Sequence, residues 1–315
     1  MKRREFITLV GVAAVIGPST VRAEQAGKLP TIGFLGPARW APAFEQRLRE
    51  LGWIAGRTVA IEYRSAEGRT ERLAEIATEL VRLEVNVVVT VGGSPTLAVQ
   101  HETSLIPIVF IAGDPVGSGL VASLARPGGN TTGVTVHPIG LAGKRLDLLH
   151  EIVPGFRRLS VMVNANIPDF QSRLDEVQAA ASTLGFEATM LELRRAEDVA
   201  PAFEAIKDRA DALYVVSVPF AFAIATLALT ARIPTMFEYG GFVDAGGLMS
   251  YCADETEVSR LAAKFVDRIL RGAKPADLPV QQPTKFDLVI NLKTAKALGL
   301  KIPESFLLRA DEVIE

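Results

Sequence analysis

The sequence predicts an α/β protein built of two similar lobes, each a parallel sheet covered by helices on both faces. Three observations carry this. Short β-branched runs alternate with helical patterns along most of the chain, the rhythm of strand–helix–strand units. That rhythm restarts at Leu159, with no Pro/Ser-rich linker before it. The chain has 315 residues, long for one core and natural for two domains of ordinary size.

Composition fixes the class. Apolar residues make up 49% and charged residues 22%, a globular balance. The 34 Lys and Arg against 36 Asp and Glu leave a net charge of −2, which gives no basis for a nucleic-acid partner. The single cysteine, Cys252, excludes a disulfide framework and a multi-cysteine zinc site. Three histidines, His101, His137 and His150, show no ligand spacing, so no metal or cofactor is expected.

Residues 1–23 read as an export segment. Lys2, Arg3 and Arg4 form a basic start, Phe6 to Ile16 is apolar, and Val21-Arg22-Ala23 offers small residues for cleavage. The apolar run is too short to span a bilayer. Arg3-Arg4-Glu5-Phe6-Ile7 is also similar to a twin-arginine signal, although general export signals begin with basic residues too. No cysteine lies at the cleavage site, so no lipid anchor is expected. The mature chain is expected in the periplasm.

The elements then follow in order. Thr31–Leu35 reads as a strand ending at Gly36-Pro37, and Ala43–Leu51 as a helix. Thr58–Tyr63 alternates as a strand, and Arg69–Leu83 puts Leu73, Ile76, Ala77 and Leu80 on one helical face. Asn86–Val91 and Ile106–Ile111 are buried-type strands stopped by Gly92-Gly93 and Gly113-Asp114-Pro115. Gly117-Ser118-Gly119 reads as opening a helix. In the second set, Leu159–Val163, Glu187–Leu193, Ala212–Val218, Thr235–Tyr239 and Leu248–Tyr251 are strands. Helices are expected before Leu184 and over 199–209, and Glu257–Leu270 is strongly amphipathic. Gly272–Pro283 reads as an extended crossing and Phe286–Ile290 as a last strand.

Open parallel sheets bind ligands beyond the carboxyl ends of their strands. The informative residues are therefore those just after each strand. Gly92-Gly93-Ser94-Pro95-Thr96 is the sharpest local pattern. Its glycines admit close backbone approach, and Ser94 can cap a helix starting at Pro95. The exposed N–H groups of such a helix start suit a carboxylate or a phosphate; an ordinary capped turn has the same appearance. Asp114-Pro115 is either a salt-bridge partner for an ammonium group or merely a turn. Trp40 reads as a loop-tip stacking platform, and Trp53 as core packing. Tyr239 and Tyr251 either line a cleft or finish a strand in the core. Asn164–Asp169, Ser217–Phe220, Glu238-Tyr239 and Tyr251–Asp254 are the strand-end segments of the second half, with Asn164, Ser217 and Glu238 their leading polar candidates. No phosphate loop, dinucleotide fingerprint, nucleophile elbow or His-Glu-x-x-His motif occurs.

Several long segments carry a resemblance. They are Leu48-Arg49-Glu50-Leu51-Gly52-Trp53, Ile61-Glu62-Tyr63-Arg64, Gly113–Asn130 (GDPVGSGLVASLARPGGN), Gly246–Tyr251 (GGLMSY), Gly272–Leu278 (GAKPADL), Pro283–Gly299 (PTKFDLVINLKTAKALG) and Arg309–Glu315 (RADEVIE). With these, the chain from Ile32 to Glu315 resembles ABC-transporter substrate-binding proteins of the periplasmic type I class, in the branch containing tryptophan/phenylalanine receptors. The resemblance implies two Rossmann-like lobes joined by three crossings, with ligand trapped between them. Lobe 1 would be 24–137 plus 253–285, and lobe 2 would be 138–252 plus 286–315. It implies Ser94 and Thr96 near a carboxylate and Asp114 near an amine. Three positions depart from the family pattern: Val218 stands where Asp is usual, Cys252 replaces a glycine, and Pro219–Pro234 is short by about one helical turn.

The function expected from this is a periplasmic receptor, not an enzyme. It would take a small carboxylate-bearing ligand, an amino acid or aromatic acid, to a membrane ABC permease. The expected ligand-binding set is Trp40, Gly93, Ser94, Pro95, Thr96, Asp114, Asn164, Ser217, Glu238, Tyr239 and Tyr251. A monomer without nucleic-acid partner is expected. A ligand sensor serving a membrane sensor protein, and an exported α/β enzyme, are the alternatives these residues leave open.

Overall fold

The computed structural model describes residues 29–138, 140–218 and 220–315. The expected export segment, 1–23, lies outside the described residues. The first sheet is assembled from β1 (Thr31–Leu35), β2 (Ala60–Arg64), β3 (Val87–Val91), β4 (Ile108–Ala112) and β5 (Thr131–Thr135). Helices α1 (Ala41–Glu50), α2 (Leu73–Arg82) and α3 (Gly93–Glu102) connect its first four strands. The order is β2-β1-β3-β4-β5, all parallel. The run of Val and Ile in β3 and β4 is buried almost throughout, as a sheet covered on both faces requires.

The chain then enters the second lobe through α4 (Leu141–Ile152), β6 (Arg158–Asn164), α5 (Phe170–Leu184), β7 (Glu187–Leu193), α6 (Val199–Ile206) and β8 (Ala212–Val216). It continues through α7 (Ala221–Thr230), β9 (Thr235–Phe237), α8 (Gly241–Asp244) and β10 (Met249–Ala253). Next, α9 (Glu255–Leu270) packs back onto the first sheet: Val258, Ala262, Phe265 and Val266 share one buried cluster with Ile32, Val89 and Val109. The chain finally returns through β11 (Phe286–Asn291), α10 (Leu292–Leu298), α11 (Glu304–Leu307) and β12 (Glu312–Ile314). The second sheet has the order β12-β11-β10-β9-β8-β6-β7. Both lobes thus have the α/β architecture expected of the type I class.

One feature of the second sheet is not parallel. β11 pairs antiparallel with β10. The chain leaves the second sheet at the end of β10, visits the first lobe as α9, and re-enters beside the point where it left. β11 can only run back along β10. β12 then follows it in parallel.

Two local expectations change. Gly272–Pro283 does not cross between lobes. It runs along the edge of the first sheet, where Thr132 Oγ1 donates to the Leu278 carbonyl at 2.6 Å and Gln281 bridges Val134. The crossing itself comes at Lys285–Phe286. No helix opens at Gly117-Ser118-Gly119; residues 115–119 form turns around the Asp114 carboxylate, which accepts from the Val116 and Gly117 amides at 3.2 and 2.8 Å. Strand β5 has no hydrophobic run to announce it. Its sequence, Thr-Thr-Gly-Val-Thr, is held by β-branched threonines and by Gly133, where a Cβ would lie 2.1 Å from the Phe110 carbonyl oxygen.

Candidate ligand-binding cleft

A cavity of about 480 Å³ lies between the carboxyl ends of the two sheets, the position a parallel-sheet protein reserves for ligands. The first lobe lines it with Trp40, the 65–70 loop, Gly92, Gly93, Ser94, Pro95 and Gly113. The second lobe contributes Asn164, Ile167, Asp169, Arg173, Ser217, Val218, Phe222, Tyr239 and Phe242.

The first wall is built from backbone. Gly92 caps α3 with φ 110°, a conformation that glycine adopts without strain. The helix therefore starts at Gly93, two residues before the expected position, and Ser94 does not cap it. The amides of Gly93 and Ser94 fall in the first turn, where helix N–H groups lack intrahelical acceptors; Pro95 has none to offer. Trp40 is not at a loop tip. It ends a short 3-10 turn and is 3% exposed, with its ring against the cavity. Its indole Nε1 is buried without a hydrogen-bond partner among the described residues. A buried donor left unpaired is costly.

The second wall is built from side-chain charge. Glu238, 1% exposed, accepts from Arg145 Nη1 at 2.9 Å, Arg173 Nη1 at 3.0 Å and the Tyr214 hydroxyl at 2.8 Å. Arg145 Nε donates to the Tyr251 carbonyl at 2.8 Å, and Arg173 Nε to Asp169 Oδ2 at 2.8 Å. Two guanidinium groups thus face two carboxylates, and the cluster is neutral overall. Opposite charges at these distances raise the pKa of both arginines against the lowering effect of burial. His137, on the crossing after β5, stands 3.5 Å from both Tyr239 Oη and Arg145 Nη2. Burial first, then the two nearby guanidinium charges, push its pKa well below the ordinary histidine value, so it is neutral. Burial pushes the Tyr239 hydroxyl up to about 12.

The lobes touch at the closed side of the cleft. The Asp114 amide donates to Asp169 Oδ2 at 3.2 Å, and Ser172 Oγ donates to Asp114 Oδ2 at 3.1 Å. Ser94 Oγ reaches the Asn166 carbonyl at 3.4 Å. Gly113 makes the approach possible: a Cβ there would stand 2.5 Å from both Arg173 Nη2 and Asp169 Oδ2.

Of the expected residues, Trp40, Gly93, Ser94, Pro95, Asn164, Ser217 and Tyr239 meet at this cavity. Four do not line it. Thr96 is fully buried, its hydroxyl 2.8 Å from Thr90 Oγ1 and 2.7 Å from the Gly92 carbonyl, because the early helix start turns it inward. Asp114 closes its own turn and meets Ser172. Glu238 is committed to the arginines behind the wall. Tyr251 points away to stack on Phe286, with centroids 5.7 Å apart. Residues that sequence reasoning passed over are Arg173, Phe222 and Phe242; Asp169 lies in the strand-end segment 164–169 but is not among the expected ligand-binding residues. Arg173 and Asp169 had a signal available, an i,i+4 acid–base pair at a helix start just after β6. Phe222, 68% exposed, follows the short strand-end segment at the mouth.

Comparison with known proteins identifies the class: the chain belongs to the ABC transporter substrate binding protein family, whose model matches residues 40–314. Among particular relatives, it is 24% identical over 266 residues to a tyrosine-binding protein of Clostridioides difficile, covering 82% of this chain and 76% of that protein. A Streptococcus pneumoniae ABC domain in complex with L-Trp matches with a TM-score of 0.85 and 25% identity, over 91% of this chain and 100% of that one. A conserved domain protein from Vibrio cholerae matches with a TM-score of 0.85 and 26% identity over the same shares.

Proposed function

We propose that this chain is the exported solute receptor of an ABC uptake transporter. It binds a small carboxylate-bearing molecule with an aromatic body, an amino acid or a related acid, and delivers it from the periplasm to a membrane permease. One observation carries the reading: the free first turn of α3 lines a cavity whose remaining surface is largely apolar and aromatic, Trp40 included. The donors suit an anionic head. Trp40, Tyr239, Phe222 and Phe242 suit a planar body. The tyrosine-binding relative and the L-Trp complex support the same ligand class.

Catalysis is not part of the proposal. Burial pushes the Cys252 thiol up to about 12, far from a nucleophile's range. Among the described residues no helix is long and apolar enough to cross a membrane. In this reading a separate membrane permease recognises the closed form.

The test is a thermal-shift screen against amino acids, aromatic acids and small organic anions. A ligand at 100 times its Kd should add about 2.7 kcal/mol of stability. Stabilisation confined to sugars or phosphates, with none from any carboxylate, would overturn the ligand class.

A further inference from the structure

We infer that His137 is a proton-operated latch on the hinge: neutral, it ties the first crossing to the other two, and protonated, it lets go and the lobes part. The inference adds a regulation to the receptor proposed above, in which parting lobes release ligand. Its test uses the ligand-free protein, so the two fail separately.

The hinge has two halves. The crossings after β10 and before β11 run side by side: the Asp254 amide donates to the Lys285 carbonyl at 3.1 Å, and Lys285 Nζ donates to Asp254 Oδ2 at 2.8 Å. The first crossing, after β5, carries His137. The Arg145 guanidinium spans the two halves. Its Nε donates to the Tyr251 carbonyl at 2.8 Å, and its Nη2 stands 3.5 Å from His137 Nδ1. On the other side of the ring, Nε2 is 3.5 Å from the hydroxyl of Tyr239, which lines the cleft. An arginine only donates, so Nδ1 must accept from it. The ring proton then sits on Nε2 and is offered to Tyr239. The latch therefore needs the neutral ring.

A further proton undoes it. Nδ1 becomes a donor facing the Arg145 guanidinium. Burial opposes the imidazolium, and the charges of Arg173 and Arg145 add to that opposition. The anion facing the ring is Glu238, whose Oε2 is 3.9 Å from Nε2, but Arg145, Arg173 and the Tyr214 hydroxyl already share it. His137 is 9% exposed, so a charged ring must reach water by moving. Moving the crossing breaks two contacts of 3.5 Å, each longer than any hydrogen bond Glu238 makes; unfolding a lobe would break the buried ion pairs as well. Hinge segments are where such backbone changes are absorbed. In the opened form the ring regains the ordinary histidine value of about 6.5. The open form thus binds the proton more tightly than the closed form, and acid shifts the population towards it.

Hydrogen exchange of the ligand-free protein reads the open population. The Asp114 amide donates across the lobes to Asp169 Oδ2 and exchanges when they part. Between pH 7.5 and 5.5 its rate, divided by the intrinsic rate, should rise about 10-fold in wild type. It should stay well above the rates of the β3 and β8 amides, as opening without unfolding requires. His137→Gln should abolish the rise, because glutamine can accept from Arg145 and donate to Tyr239 but does not titrate. A rise that persists in His137→Gln would assign the acid response to other groups, such as Asp254 and Asp287 in the other crossings, and overturn the inference. So would a wild-type Asp114 amide whose rate does not rise, or one that exchanges only as fast as β3 and β8. Should His137→Gln fail to fold, histidine-labelled wild type decides, with the ring signals assigned through His101→Gln and His150→Gln. The His137 ring must titrate together with Asp114 exchange; a ring that stays neutral while the amide opens overturns the latch.

Discussion

The two walls of the cleft solve the same problem with different materials. The first lobe presents backbone: a glycine-capped helix start and a close-packed Gly113. The second lobe presents side chains: Arg145, Arg173, Asp169 and Glu238, drawn from α4, α5, the turn before it and the end of β9. Backbone donors come with the fold and need only that nothing obstruct them. A buried charge cluster needs every partner present, because each charge left alone in the interior is costly. The first wall should therefore be sensitive to added atoms and the second to removed charge.

The largest expected effect is on the second wall. Glu238→Gln leaves Arg145 and Arg173 without their shared buried anion, and should lower unfolding stability by about 3–5 kcal/mol, read by chemical denaturation. A loss below about 1 kcal/mol would mean that the arginines find other partners, and the contrast between the walls would weaken.

Adding one methyl group tests the first wall. Gly113→Ala would place a Cβ 2.5 Å from Arg173 Nη2 and Asp169 Oδ2, across the line where the lobes meet. Each lobe should still fold. Ligand affinity should fall by about 1–3 kcal/mol, the usual cost of overpacking. Unchanged affinity would show that the closed side of the cleft opens without cost.

A smaller effect sharpens how the crossing between the lobes joins the network. His137 is neutral because burial and two guanidinium groups oppose its protonation. Its folded pKa lies below the unfolded value of about 6.5. The unfolded chain therefore takes up this proton first, and stability falls as pH drops below about 6.5 towards the folded pKa. One such group contributes a slope of at most about 1.4 kcal/mol per pH unit. His137→Gln should flatten the stability profile between pH 7 and 5 by up to that amount. An identical profile would place His137 outside the acid response.

The same contrast explains what could be read from sequence. The strand–helix rhythm and the Gly92–Pro95 turn are local patterns, so most of the first sheet and part of its wall were legible. Thr131–Thr135 was not, because an edge strand of threonines around a glycine lacks the apolar run that marks β3 and β4. On the second wall, Arg145 meets Tyr251 and Glu238 at sequence separations of 106 and 93 residues. No local spacing encodes such a meeting. Asp114 and Glu238 looked like binding residues because they follow strands. A strand end fixes where the backbone is, whereas the direction of the side chain depends on partners that only the tertiary fold supplies. Thr96 differs for a nearer reason: the helix begins at Gly93 and not at Pro95, and a shift of two residues rotates a side chain from the cleft into the core.

The central claim is that a small carboxylate ligand is held between the two lobes and draws them together. Small-angle scattering tests it most directly, using wild type alone and saturated with whichever amino acid stabilises it most. The account predicts a smaller radius of gyration with ligand, and a smaller change for Gly113→Ala at equal saturation. An unchanged scattering profile, with calorimetry confirming full occupancy, would contradict it.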